Sequence, residues 1–149
     1  MNIFEALRID HDRQRFLLTN LIQTPSNSTK RDHTFRKLKH ELAIHTGGEE
    51  NHFYMPLINS DITQEKPRHG IAEHLEIDTL IKNLEDIEYA SSDWLQIAKQ
   101  LQKKVEHHLN EEEHTIFKIA GKVLSENQKT ALAKNYKAYV KENRQSFKN

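Results

Sequence analysis

Two histidine and glutamate pairs, His45-x-x-x-Glu49 and His108-x-x-x-Glu112, constrain this 149-residue chain more than any other feature. A separation of four residues stacks both members of a pair on one face of an α-helix. Each pair is also in register with the apolar residues around it. Phe35, Leu38 and Leu42 lead into the first, while Trp94, Ala98, Leu101 and Val105 lead into the second, which Ile116, Ile119 and Val123 follow. Side chains in that phase point into a core, where an unpaired carboxylate is too costly to leave uncompensated. A metal cation is the economical compensation.

The rest of the chain reads as helix. Glycine and proline are scarce, at four and three residues, strand-type Val-Ile-Thr alternation is absent, and Leu, Lys, Glu and Ala dominate. The first helix is expected from about Ile3 to Gln23, with Phe4, Leu7, His11, Gln14, Leu18 and Leu21 on one stripe, ended by Thr24-Pro25-Ser26-Asn27-Ser28. The second, about Lys30 to Ile58, carries His45, Glu49 and either His52 or Phe53 inward and breaks at Ser60-Asp61. The third runs from near Pro67 to about Ile87 with Ile71, His74, Ile77, Ile81 and Leu84 inward. Ser91-Ser92-Asp93 supplies an N-cap for the fourth, about Asp93 to Leu124. A last helix starts at a Ser125-Glu126-Asn127-Gln128 capping box, with Leu132, Tyr136, Tyr139 and Val140 placed to pack on the outside and its final turns frayed.

Short connections favour an all-α, up-down-up-down four-helix bundle over residues 1–124, with residues 125–149 forming an additional C-terminal helix. The levels of the inward polar residues test that arrangement at ~1.5 Å of rise per residue. His11 lies roughly 18 Å from the first turn and His45 roughly 22 Å from it. The second connection gives roughly 14 Å against 10 Å for Glu49 and His74, and the third roughly 20 Å against 23 Å for His74 and His108. All four helices therefore bring a polar residue to one layer.

Composition removes several function classes. Lys plus Arg and Asp plus Glu both number 22, so no charge excess favours nucleic acid or an anionic membrane. There is no cysteine, which excludes disulfides and thiolate sites and leaves histidine, carboxylate and tyrosine as ligands. Met1-Asn2-Ile3-Phe4-Glu5 lacks the character of a signal peptide, and no apolar run is long enough to span a bilayer, so the protein is read as cytoplasmic.

His11, His45, His74, His108, Glu49 and Glu112 make six nitrogen and oxygen ligands, enough for two metals if the carboxylates bridge. By ligand type alone the set suits iron, manganese or zinc. A rival register, Glu49-x-x-His52 with Glu111-x-x-His114, matches ferritin-like bundles, but those need a glutamate on each remaining helix, and Glu111 and His114 straddle the fourth stripe. Gly47-Gly48 lies inside a helix at a cost of ~1 kcal/mol per glycine relative to alanine, which implies either a channel or close helix approach, or a tolerated kink.

Four blocks carry a family resemblance: Ile9-Asp10-His11-Asp12; His45-Thr46-Gly47-Gly48-Glu49-Glu50 with Phe53-Tyr54-Met55-Pro56; Glu73-His74; and His108-Leu109-Asn110-Glu111-Glu112-Glu113 with Ile116-Phe117. Over roughly Ile3 to Leu124 the chain resembles the hemerythrin-like, or HHE cation-binding, family. The resemblance implies a non-haem centre of two iron ions, oxo- or hydroxo-bridged, that meets oxygen, nitric oxide or peroxide. His11, His45, His74 and His108 would be terminal ligands, and Glu49 and Glu112 bridges. Hemerythrins proper have two histidines four residues apart on the third helix, whereas Gly70 stands four residues before His74. His69 is the remaining protein candidate for that metal position; otherwise the position is open, or held by water or Tyr54. A vacancy favours redox reactivity over reversible oxygen carriage.

Three readings follow: a di-iron protein that binds or senses a small ligand, a di-iron enzyme acting on peroxide or ferrous iron, and a metal-stabilised module that binds a partner protein through its last helix.

Overall fold

The computed structural model describes residues 1–59 and 64–147. Helix α1 (Ile3–Ile22) opens with a capping box, in which the Asn2 side chain accepts from the Glu5 amide at 2.9 Å while Glu5 accepts from the Asn2 amide at 3.1 Å. The second rod consists of α2 (Thr29–Glu49), a π-helical turn over Glu50–Tyr54 and the short α3 (Met55–Ile58). The break expected at Ser60-Asp61 lies outside the described residues. Next come α4 (Glu65–Glu85) and a fourth rod of α5 (Ser92–Glu111), a second π turn over Glu112–Ile116 and α6 (Phe117–Val123). The last helix, α7 (Glu126–Phe147), starts at the expected Ser125 and Gln128 box. The first four rods form the bundle, and α7 packs against α1 and α2.

Each π turn begins at or just after the glutamate of a His-x-x-x-Glu pair. A π turn admits one extra residue, so the inward stripe slips by one position beyond it. This decides one open alternative and corrects one expectation. After Glu49 the buried residues are Phe53 and Tyr54, whereas His52 is only partly buried with its ring against Tyr139. After Glu112 they are Ile116, Phe117 and Ala120, and Val123 is exposed.

Two apolar clusters sandwich the polar layer. One gathers Leu18, Leu21, Leu38, Leu84, Trp94 and Leu101 at the end where α1 meets α2, sealed by Trp94 Nε1 donating to the Leu84 carbonyl at 3.1 Å. Its rim is fixed by buried Arg31, which donates to the Thr24 and Tyr89 carbonyls at 2.9 and 2.7 Å and lies 4.7 Å from the Trp94 ring centre. The second cluster joins Ile3, Leu7, Phe53, Leu57 and Phe117 to Tyr136 and Val140 of α7. Its closeness to α7 explains Gly47-Gly48. A Cβ on Gly47 would lie 2.3 Å from Tyr139 Oη, and one on Gly48 would lie 3.0 Å from ring carbons of both Tyr136 and Tyr139. The glycines permit close helix approach.

Candidate metal centre

His11, His45, Glu49, His74, His108 and Glu112 converge between the two apolar clusters, all of them buried. Glu49 Oε2 faces His45 Nε2 at 3.2 Å and His11 Nε2 at 3.7 Å, while its Oε1 faces His74 Nε2 at 3.1 Å and His108 Nε2 at 3.9 Å. Glu112 divides its oxygens the same way: Oε1 lies 3.1 Å from His11 Nε2 and Oε2 lies 3.5 Å from His108 Nε2. The layer thus splits into two halves, His11 with His45 and His74 with His108, each seeing one oxygen from each glutamate. In each half the ligand atoms lie within 4.8 Å of one another.

The outer nitrogens account for the orientation of the rings. Nδ1 of His11 donates to Glu113 at 2.7 Å, that of His74 to Glu50 at 2.7 Å, and that of His108 to Glu73 at 2.8 Å. His45 Nδ1 donates to the Tyr136 hydroxyl at 2.7 Å, which itself donates to Asp10 Oδ2 at 2.6 Å. With each Nδ1 proton engaged, all four Nε2 lone pairs point inward, as metal-binding imidazoles require. Sequence reasoning did not single out these partners. Glu113 joins His11 to Arg15, whose guanidinium lies 3.1 Å from its Oε1. The available signal was adjacency, since Asp10, Glu50, Glu73 and Glu113 each neighbour a layer residue. Tyr136 packs on the bundle from α7 as expected, at 1% exposure, but its reach to the layer through His45 was not foreseen.

His69 is not brought into this layer. Its side chain is 55% exposed, with Nε2 3.8 Å from Glu73 and 3.7 Å from Glu111. The space beside Gly70 belongs to Tyr54, whose buried hydroxyl donates to Glu112 Oε2. The rival register finds no support in position, since His114 is exposed and bonds its own helix at the Asn110 carbonyl.

Among the described residues, several buried polar atoms have no hydrogen-bond partner: His11 Nε2, His45 Nε2, both Glu49 oxygens and Glu112 Oε1. Moreover, His74 Nε2 and His108 Nε2 lie 3.0 Å apart, an arrangement that two lone pairs tolerate only around a shared proton or cation. Burial raises the Glu49 carboxyl, but the imidazoles, His45 foremost, hold it well below the usual carboxylate range. Burial and the Glu49 charge together raise Glu112. Burial depresses the His11, His74 and His108 imidazoles, yet the facing carboxylates outweigh it: all three are raised, His108 to about 10. Without a metal, protons supply the positive charge that the two glutamates demand. The donor set and its orphaned atoms fit cations that displace those protons.

A helical bundle closed around such a histidine and carboxylate layer is a cation-binding protein of the hemerythrin type. The Hemerythrin HHE cation binding domain family matches residues 2–120, and the chain belongs to that family. The fold is similar to that of a hemerythrin HHE cation binding domain-containing protein from Mycobacterium kansasii, with a TM-score of 0.88 at 22% identity over 98% of this chain and 89% of that one. A DNA nickase from Nostoc sp. is 27% identical over 138 residues, 93% of this chain. The chain spans only 39% of that relative's length. Among the described residues no helix is long and apolar enough to cross a membrane.

Proposed function

We propose that this protein is a dinuclear non-haem iron protein that binds or senses a small ligand such as oxygen, nitric oxide or peroxide. The observation that carries this reading is the division of the Glu49 and Glu112 oxygens between two histidine pairs, which is how two bridging carboxylates would be presented. His11 and His45 would hold one ion, His74 and His108 the other. Tyr54, with its hydroxyl at Glu112 Oε2 in the second half, would be a further oxygen donor there. Two iron ions, when bound, supply redox capacity and an open position for a small ligand.

The protein's own contribution is orientation, dryness and access. The Nδ1 tethers hold each ring in one tautomer. Leu42, Ile77, Leu101, Val105 and Ile116 are all buried and exclude bulk water. A cavity of about 390 Å³ between α2 and α4, lined by Leu42, Ala43, Ile77 and Ile81, reaches His74 and Glu50. Its mostly apolar lining, which also takes in Lys39, Thr46 and Asp78, suits a small, weakly polar ligand, and Glu50, which accepts a hydrogen bond from His74, lies between the cavity and the layer.

Anaerobic loading with ferrous iron should give two ions per chain, and admission of air should then produce ligand-to-iron charge-transfer absorption. Full occupancy without that absorption would refute the reading. Sustained turnover of peroxide by the loaded protein would favour the enzymatic alternative, for which the solvent-facing Glu50 is a suitable proton acceptor.

A further inference from the structure

Beside the buried layer, two further histidine and glutamate pairs repeat its spacing. His69-x-x-x-Glu73 lies on α4 and His107-x-x-x-Glu111 on the adjoining α5, the latter one position out of phase with His108 and Glu112. That offset turns the second pair outward. His69 Nε2 lies 3.8 Å from Glu73 Oε2 and 3.7 Å from Glu111 Oε1, and His107 Nε2 lies 3.2 Å from Glu111 Oε2. The two His69 separations are too long for hydrogen bonds. They are close to the spacing of about 3.4 Å expected between ligands placed ~2.1 Å from a tetrahedral metal. One ligand atom from each of His69, Glu73 and Glu111 lies within a 4.8 Å group.

We propose that His69, Glu73 and Glu111 form a second, solvent-facing metal site for a divalent first-row transition ion of the zinc or ferrous class, with His107 beside the other oxygen of Glu111. An imidazole nitrogen beside two carboxylates selects that class over calcium or magnesium, which favour all-oxygen shells. The two carboxylates balance the charge of a divalent ion. His69 and His107, at 55% and 67% exposed, leave the site open to exchange from solvent. Glu73 is different, because it is buried and its other oxygen accepts from His108 Nδ1 at 2.8 Å. One carboxylate therefore connects the surface site to the buried layer. The surface site stands on its own residues, whatever ion the layer holds.

The test is titration of Co²⁺ into protein already loaded with iron and freed of excess metal. One further equivalent should bind per chain, with the visible d–d absorption of nitrogen- and oxygen-bound cobalt. The double variant His69→Ala with His107→Ala should bind that equivalent at least tenfold more weakly while keeping its iron content and thermal unfolding profile. Glu111→Ala should have the same effect. Absence of the extra equivalent in the parent, or its retention in the double variant, would overturn the proposal. Loss of the buried iron in the double variant would also overturn it, by showing that these histidines serve the layer. If the layer takes up no iron, a cobalt equivalent that depends on His69 and His107 still identifies the surface site.

Discussion

The hydroxyl of Tyr54 lies 2.6 Å from the point where a side chain at position 70 would place its first carbon, so Gly70 and Tyr54 share one volume that only a glycine leaves free. The ring is stacked on His74, with centroids 5.6 Å apart, and its hydroxyl is directed at Glu112. If that oxygen reaches ferric iron, the loaded protein should show a visible phenolate-to-iron absorption. Tyr54→Phe should abolish it with the iron retained, and Gly70→Ala should weaken it by displacing the ring. An unchanged spectrum in Tyr54→Phe would remove Tyr54 from the ligand set.

Tyr136 connects His45 to Asp10 across the boundary between α7 and the bundle. Tyr136→Phe leaves the His45 Nδ1–H without an acceptor and Asp10 without its phenol donor. Loss of a partner to a metal-binding imidazole typically weakens metal affinity 10–100-fold, and a buried group left unsatisfied costs about 1–3 kcal/mol. Chelator competition and urea unfolding should register both effects. Unchanged metal affinity would confine Tyr136 to a packing role.

Two glycines should respond to alanine with opposite sign. At Gly48 the new methyl group meets Tyr136 and Tyr139 carbons at 3.0 Å, so Gly48→Ala should destabilise by about 1–3 kcal/mol through overpacking. At Gly121, in α6, nothing lies within 4 Å of the added carbon, and Gly121→Ala should stabilise by about 0.4–1 kcal/mol by restricting the unfolded chain. Denaturant midpoints measured in parallel would settle both signs.

The pH dependence should differ between ion-free and loaded protein. The His108 imidazole is raised to about 10 when folded, because the Glu49 and Glu73 carboxylates overcome the depressing effect of burial. Its proton therefore contributes stability that is complete below its ordinary range, near ~6.5, and is lost as pH rises through about 10. Thermal unfolding of ion-free protein should fall across that window. Metal affinity should rise over the same window, since fewer protons must be displaced. Parallel stability curves with and without metal would contradict this account.

Much of the bundle and its layer was legible because helical periodicity is a local property. The stripes through His11, His45, His74 and His108 and the common level of the polar residues follow from helix geometry, and the caps at Ser91 and Ser125 from hydroxyls that accept from free first-turn amides. Where that period fails, the stripe could not be followed. Beyond Glu49, where it leaves His52 or Phe53 open, a π turn moved Tyr54 inward beside Phe53, and beyond Glu112, where it predicts Val123, another moved Phe117 inward. Whether a helix accepts an extra residue depends on what packs around it.

The sequence by itself determined the helical class, the residues of the buried layer and a donor set without sulfur, since these rest on composition and on spacing within single helices. Only the tertiary structure decided what lies between helices. It set which oxygen of each glutamate faces which histidine, that Tyr54 fills the space beside Gly70, that His69 turns to the surface, and that Tyr136 reaches His45 from α7. The physical reason is that each of these contacts joins side chains from different rods, so it depends on how the rods pack and not on the period of any one of them.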